Sequence, residues 1–123
     1  MTEDARLTDL LPYVGRRCVY IEDGVFSIAR VASVTVSTEG MQAVMEAAPD
    51  LPLVCHFREK PPRFAEETHP VGQRWEISKA WQWFYPAAEV WDGSPCMGFR
   101  ILFAPDVVER FMAHDLSWVE EYF

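Results

Sequence analysis

The clearest pattern along the chain is an alternation of side-chain types over residues 18–36. Residues 18–21 and 25–36 are rich in β-branched and aromatic residues, and Asp23-Gly24 between them suits a two-residue turn. The pattern predicts a β-hairpin. In its second arm the even positions from Ile28 form one face and the odd positions from Ala29 the other, one mostly apolar and one mixed. An antiparallel sheet over a single core has this character.

The segments on either side of the hairpin are less regular. Residues 8–14 predict a short opening helix with Thr8 as N-cap, limited by Pro12 to about one turn. Residues 41–48 are good helix formers, but they follow a turn directly, so strand and helix both stay open and the position favours a strand. A short apolar run follows, and the apolar residues of 58–74 repeat with neither the period of a helix nor that of a strand. We interpret them as a long loop of the kind that often serves as a lid or binds a ligand.

The C-terminal half predicts more sheet and one amphipathic helix. Residues 75–78 indicate a strand, and residues 79–85 either continue it or form a short helix. Residues 88–103 predict a second hairpin, with its turn at 92–98. Pro105 suits a first helical turn, after which Val108, Phe111 and Met112 share one apolar face. Near the end of the chain, Ser117 and Glu120 have the spacing of a capping box.

These elements predict one domain, 1–123, of the α+β class. We expect a strongly bent antiparallel sheet or a small half-open β-barrel, with a C-terminal helix packed on it and a short N-terminal helix. A chain of 123 residues is long enough for a single core.

Charge and composition narrow the classes of function. A net charge of −8 opposes binding to nucleic acid and to anionic membranes. No apolar run approaches the roughly 20 residues of a membrane span, and the first residues are acidic, unlike a signal peptide. The three cysteines are scattered, as expected for reduced thiols, so we expect a cytoplasmic protein. The chain has no asparagine and only two lysines beside nine arginines, which suggests a GC-rich, bacterial coding sequence.

Strong signatures of catalysis, metal binding or cofactor binding are missing. The sequence has no glycine-rich phosphate loop and none of the motifs HExxH, CxxC and GxSxG. Cys55 and His56 are neighbours on a predicted strand, so they point to opposite faces and cannot readily act together. Cys55, His56, His69 and Cys96 lack the spacing of a metal site. We predict no cofactor and no metal.

The most unusual feature is a concentration of aromatic residues that holds four of the five tryptophans. Its candidate binding residues are Trp75, Trp81, Trp83, Tyr85 and Trp91. If residues 75–85 formed one strand, the first four would share a face, although Lys79 on that face indicates a break there. Rings of this size bury about 150–250 Å² each, more than one face of a small core usually packs. Core, homodimer interface and ligand pocket therefore all stay open.

Two groups of charged residues complete the candidates. Arg58 and Arg63 belong to the one cationic stretch and could receive an anionic ligand or an acidic neighbour, or they could simply pair with the protein's own acids. Glu89 and Asp92 flank Trp91, and burial beside an indole can turn a carboxyl into a general acid. A turn-forming role is the simpler interpretation of Asp92, which precedes Gly93.

We therefore expect a small binding or accessory protein that uses its aromatic residues to form a homodimer or to bind a partner or small apolar ligand. One alternative is a small enzyme in which Glu89 or Asp92 is the acid or base and Arg58 or Arg63 holds an anionic substrate. Another is an acidic protein of the immunity or antitoxin type, which neutralises a partner.

Overall fold

The structure is a computed structural model that describes residues 3–4, 7–37, 40–47, 53–66, 74–77, 83–85, 87–93 and 99–122. The strands in these residues are β1 (Glu3–Asp4), β2 (Arg17–Glu22), β3 (Val25–Ser37), β4 (Gly40–Ala47), β5 (Leu53–His56), β6 (Arg63–Glu66), β7 (Arg74–Ile77), β8 (Trp83–Tyr85), β9 (Val90–Asp92) and β10 (Phe99–Leu102). A 3-10 helix (Leu7–Tyr13) precedes β2. Two α-helices, α1 (Pro105–Met112) and α2 (Val119–Tyr122), follow β10. The α+β class is confirmed.

The first hairpin forms where the sequence predicts it. β2 and β3 pair antiparallel from Arg17↔Arg30 to Glu22↔Val25. Between them Asp23 has φ 51° and Gly24 has φ 74°. Positive φ at both central residues is the requirement of a type I′ turn, and an aspartate followed by a glycine adopts it at low cost.

One antiparallel sheet joins all ten strands of the described residues. The order along its main path is β1-β8-β9-β10-β2-β3-β4-β7, while β5 pairs with the first residues of β3, and β6 pairs with β5. The path is open, because β1 and β7 at its ends are not paired with each other in these residues.

The connection between β7 and β8 requires this sheet to bend. Six interstrand steps separate the two strands along the path, which would span about 29 Å in a flat sheet. Ile77 ends β7 and Trp83 begins β8, and a chain of that length reaches about 21 Å at most. The sheet is therefore strongly bent, as predicted.

Each face of the bent sheet carries its own core. The face away from the α-helices, here called the inner core, consists of Leu10, Cys18, Tyr20, Ala29, Val31, Met45, Phe84, Trp91, Phe99, Ile101 and Phe103. The helix-side core consists of Val19, Ile21, Phe26, Ile28, Cys55, Val90, Leu102, Val107, Val108, Phe111, Trp118 and Val119. The inner core joins β8 near one end of the sheet to β4 near the other, as expected if the sheet curves around it.

The predicted faces of β3 need a correction. Both faces of its first half are buried, since Ile28 lies in the helix-side core and Ala29 in the inner core. The alternation predicts Val34 on the face of Ile28, but Val34 packs on the inner core together with Val31. The register of β3 with β4 shifts between Val31 and Ser33, and such a bulge reverses the alternation of side chains beyond it.

Three further predictions concern the segments 41–48, 58–74 and 8–14. The strand favoured for 41–48 is confirmed by β4. The loop predicted for 58–74 is wrong at residues 63–66, which form the short edge strand β6 paired with β5, and at Arg74, which begins β7. Residues 67–73 of that prediction lie outside the described residues. The predicted opening helix is the 3-10 helix, which contains Pro12.

The C-terminal helix forms from Pro105 as predicted, but its buried face differs by a small rotation. Val107, Val108 and Phe111 are buried, whereas Met112 is 37% exposed. The helix ends before His114, which has φ 62°. The His114 ring stacks on Phe64 of β6, with ring centroids 4.2 Å apart.

Candidate functional site

The aromatic stretch does not form one continuous strand. Trp75 lies on β7, which pairs with β4, whereas Trp83 and Tyr85 lie on β8, which pairs with β9 and β1. Lys79, near which the sequence indicates a break, and Trp81 both lie outside the described residues. Trp75 and Trp83 therefore belong to strands at opposite parts of the sheet path.

Trp91 is a core residue in this structure. It has no exposed surface and packs against Phe84, with ring centroids 5.8 Å apart. Trp118 is equally buried, and its indole N–H donates to the Asp115 carbonyl at 2.8 Å. Trp118 is not among the residues that the sequence singles out, although it follows the amphipathic helix predicted to pack on the sheet.

The cationic stretch is arranged around the turn after β5. Arg58 and Arg63 are exposed, and Arg63 Nε lies 3.1 Å from both carboxylate oxygens of Glu59. This hydrogen bond lowers the pKa of Glu59. The Arg58 side chain lies beside Gly24, where an added Cβ would come within 2.6 Å of its Nε. Arg63 thus pairs with one of the protein's own acids.

Tyr85 and Asp92 come together in a cleft on the helix side of the sheet. The cleft has a volume of about 230 Å³. Its lining residues define what we call the Asp92 cleft: Tyr85, Ala88, Val90, Asp92, Arg100 and Glu121. Tyr85 and Asp92 are among the residues that the sequence singles out. Arg100 is not, although opposite charges on the two sides of the predicted turn at 92–98 are a usable signal.

The pairing of β9 with β10 and with β8 places the residues that form the floor of this cleft. Asp92 on β9 lies directly opposite Arg100 on β10, and Tyr85 on β8 lies opposite Val90. Since Val90 and Asp92 are two residues apart, they point to the same face of the sheet. Trp91 between them points into the inner core.

Asp92 and Arg100 form an ion pair that is almost closed to solvent. Arg100 Nη2 lies 3.3 Å from Asp92 Oδ2, and the two side chains are 19% and 10% exposed. Apolar atoms of Tyr85, Ala88 and Val90 form the neighbouring wall. A polar floor beside an apolar wall is the usual composition of a small-molecule site.

A second cleft, of about 340 Å³, lies between the start of β2 and helix α1. We call it the Arg16 cleft, and its lining includes Arg16, Arg17, Phe103, Val108, Glu109 and Met112. None of these is a site residue predicted from the sequence, because they lie in segments far apart in the chain.

Glu89 belongs to the surroundings of Arg16 and does not line the Asp92 cleft. Its carboxylate lies 3.3 Å from Arg16 Nη2, and its carbonyl accepts the Phe103 N–H at 3.0 Å. Glu89 has φ 53°, a strained conformation for a side chain of this kind. Burial and the charge of Glu89, in that order, raise the pKa of the Tyr13 hydroxyl.

The cysteines show no activated thiol in the described residues. Cys18 lies in the inner core and Cys55 in the helix-side core, and burial raises the pKa of both thiols. A raised pKa keeps a thiol protonated and unreactive. Cys96 lies outside the described residues, and within them no group of three histidine, cysteine or acidic side chains is arranged to hold a metal.

None of the helices in the described residues has the length and apolar character needed to cross a membrane. Comparison of the chain with protein-family models, with curated proteins and with solved structures finds no match in any of the three.

Proposed function

We propose that this is a small cytoplasmic binding protein that takes a small, mainly apolar ligand in the Asp92 cleft. The observation that carries this proposal is the Asp92–Arg100 pair, almost closed to solvent on the floor of a cleft with an apolar wall. The ligand has an apolar body for that wall and a neutral or positively charged, hydrogen-bonding end for the floor.

The energetics of the ion pair support a role beyond stability. Removing two charges from water costs several kcal/mol per ion, and an apolar pair of similar volume often stabilises a protein at least as well. Asp92 and Arg100 occupy facing positions on central strands of the sheet, where apolar residues would pack readily. Charged groups at this place are useful if a ligand contacts them.

Charge defines the polar end of the ligand. Asp92 and Glu121 supply two carboxylates to the cleft, and Arg100 supplies one guanidinium. The face of the Tyr85 ring can also attract a cation. The whole chain carries −8, which raises the local concentration of cations. The cleft is smaller than the roughly 300–1,000 Å³ of sites for drug-sized molecules, so we expect a ligand of fragment size.

The arrangement favours binding over the alternative of an acid–base enzyme. That alternative combined Glu89 or Asp92 with Arg58 or Arg63 as the anchor for the substrate. The two arginines are exposed near the turn after β5, and neither lines the Asp92 cleft. Binding requires only the cleft and its polar floor.

A blocking substitution tests the site. Ala88 lines the cleft and is exposed, so Ala88→Trp should fill it without disturbing the core. With phenethylamine as the probe, two-dimensional NMR should show shifts of the amides at 88–92. Ala88→Trp should weaken binding at least about tenfold, or about 1.4 kcal/mol.

The matched control is Ala87→Trp, which places the same ring on the neighbouring exposed residue outside the lining. Hydrocinnamate, with a carboxylate in place of the amine, should bind more weakly than phenethylamine. Equal loss of binding in both tryptophan variants, or stronger binding of hydrocinnamate, would contradict the proposal.

A homodimer through the aromatic residues stays a prediction. We expect light scattering to give about twice the 14.2 kDa chain mass at micromolar concentration. Trp83→Ala should shift the protein towards the monomer if β8 lies in the interface. A constant monomer mass from micromolar to hundred-micromolar concentration would rule the dimer out.

A further inference from the structure

Glu121 brings a carboxylate to the Asp92 cleft from outside the sheet. It lies on helix α2, whereas the other lining residues lie on β8, β9 and β10 or on the turn at 87–89. Trp118, the residue before α2, and Val119 at its start are buried in the helix-side core. The Glu121 N–H donates to the Trp118 carbonyl at 3.0 Å. The backbone of Glu121 is therefore attached to a buried residue, while its side chain is exposed.

The cleft carries one net negative charge, and Glu121 is its source. The charged residues of the lining are Asp92, Arg100 and Glu121. The first two form an ion pair at 3.3 Å, so their opposite charges largely cancel for a group farther away. No ion pair between two of the described residues includes Glu121. Its charge is therefore the one that a ligand in the cleft meets uncompensated.

The rest of the lining suits an ammonium group on an apolar body. The half-buried Tyr85 ring can attract a cation with its face, and Ala88 and Val90 offer an apolar surface beside it. An ammonium is compact and has three donors that can rotate, so a single exposed carboxylate can bind it. An anionic group in the same place is repelled by Glu121.

We propose that Glu121 determines the charge preference of the Asp92 cleft, and that the ligand class is a small primary amine with an aromatic or alkyl body. The ammonium is bound by Glu121, and the body lies against the apolar wall. The Asp92–Arg100 pair supplies a polar floor without a net charge. This inference rests on the proposed function, which by itself requires only a hydrogen-bonding end, neutral or positively charged.

The test compares phenethylamine with 2-phenylethanol, which has the same body and a neutral hydroxyl. The amides at 88–92 report binding of both probes by two-dimensional NMR. At low salt the original protein should bind the amine about fivefold more tightly than the alcohol, the upper range for an exposed ion pair. Because such pairs are screened, sodium chloride at about 1 M should remove most of this preference.

Glu121→Gln should bind the two probes equally and keep the affinity for the alcohol, because only the charge is lost. Glu121→Lys should go further and bind hydrocinnamate more tightly than phenethylamine. The matched control is Glu120→Gln, which makes the same change of net charge on the neighbouring exposed residue of α2, outside the lining. It should keep the fivefold preference for the amine.

Two kinds of failure are distinguishable. The role of Glu121 is overturned, with binding in the cleft intact, if the original protein binds amine and alcohol equally. The same holds if Glu121→Gln keeps the preference, or if Glu120→Gln loses it to the same extent. If neither probe shifts the amides at 88–92, or if Ala88→Trp leaves phenethylamine binding unchanged, the proposed function and this inference both fail.

Discussion

Replacing Trp91 by alanine is expected to lower the free energy of unfolding by about 3 to 5 kcal/mol. The indole is completely buried between the strands of the inner core, where it contacts Phe84. Its removal leaves a cavity that the surrounding β-strands cannot close, because their hydrogen bonds fix their spacing. Urea denaturation followed by far-ultraviolet circular dichroism measures the loss without depending on tryptophan fluorescence.

The control for this prediction is Leu11→Ala, since Leu11 is 53% exposed. It should change the stability by less than about 0.5 kcal/mol. A Trp91→Ala protein with nearly normal stability and weakened binding would contradict the core assignment and restore the role in recognition that the sequence suggested.

Asp92→Asn is expected to cost about 3 kcal/mol of stability, because it removes the negative charge from an ion pair with Arg100 that is almost closed to solvent. The same measurement on Glu59→Gln, which breaks an exposed pair with Arg63, should show a much smaller loss, because solvent screens that pair. The difference between the two tests whether burial determines the cost.

A double substitution separates stability from function at this site. Asp92→Leu combined with Arg100→Met replaces the ion pair by two apolar side chains, so its stability should return to within about 1 kcal/mol of the original protein. It should still lose phenethylamine binding, since the polar floor is gone. A double variant that binds the amine normally would show that the pair serves the fold alone.

The candidate sites illustrate which residues a sequence can indicate. Tyr85 and Asp92 attracted attention by their types and by the aromatic residues around them. Arg100 completes the Asp92 cleft because the pairing of β9 with β10 brings it opposite Asp92. The sequence of the predicted turn at 92–98 does not specify that register. Glu121 lies on helix α2, and its position in the cleft depends on how that helix packs.

The sequence by itself determined the elements whose signals are local. Asp23-Gly24 specifies a turn with two positive φ angles, and Pro105 begins helix α1 where the apolar spacing starts. These preferences act within a few residues, so they survive in the folded protein. The α+β class and the strong bend followed from the number of predicted strands and the short distances between them.

Only the tertiary structure decided which strands are neighbours. Strand pairing joins residues far apart in the chain, and many registers satisfy the same local pattern, so packing selects among them. In this way Trp75 and Trp83 came to lie on separate strands, and a bulge in β3 moved Val34 to the other face. The same selection buried Trp91 and placed Asp92, its neighbour, beside Arg100 in a cleft, because adjacent residues of a strand face opposite sides of the sheet.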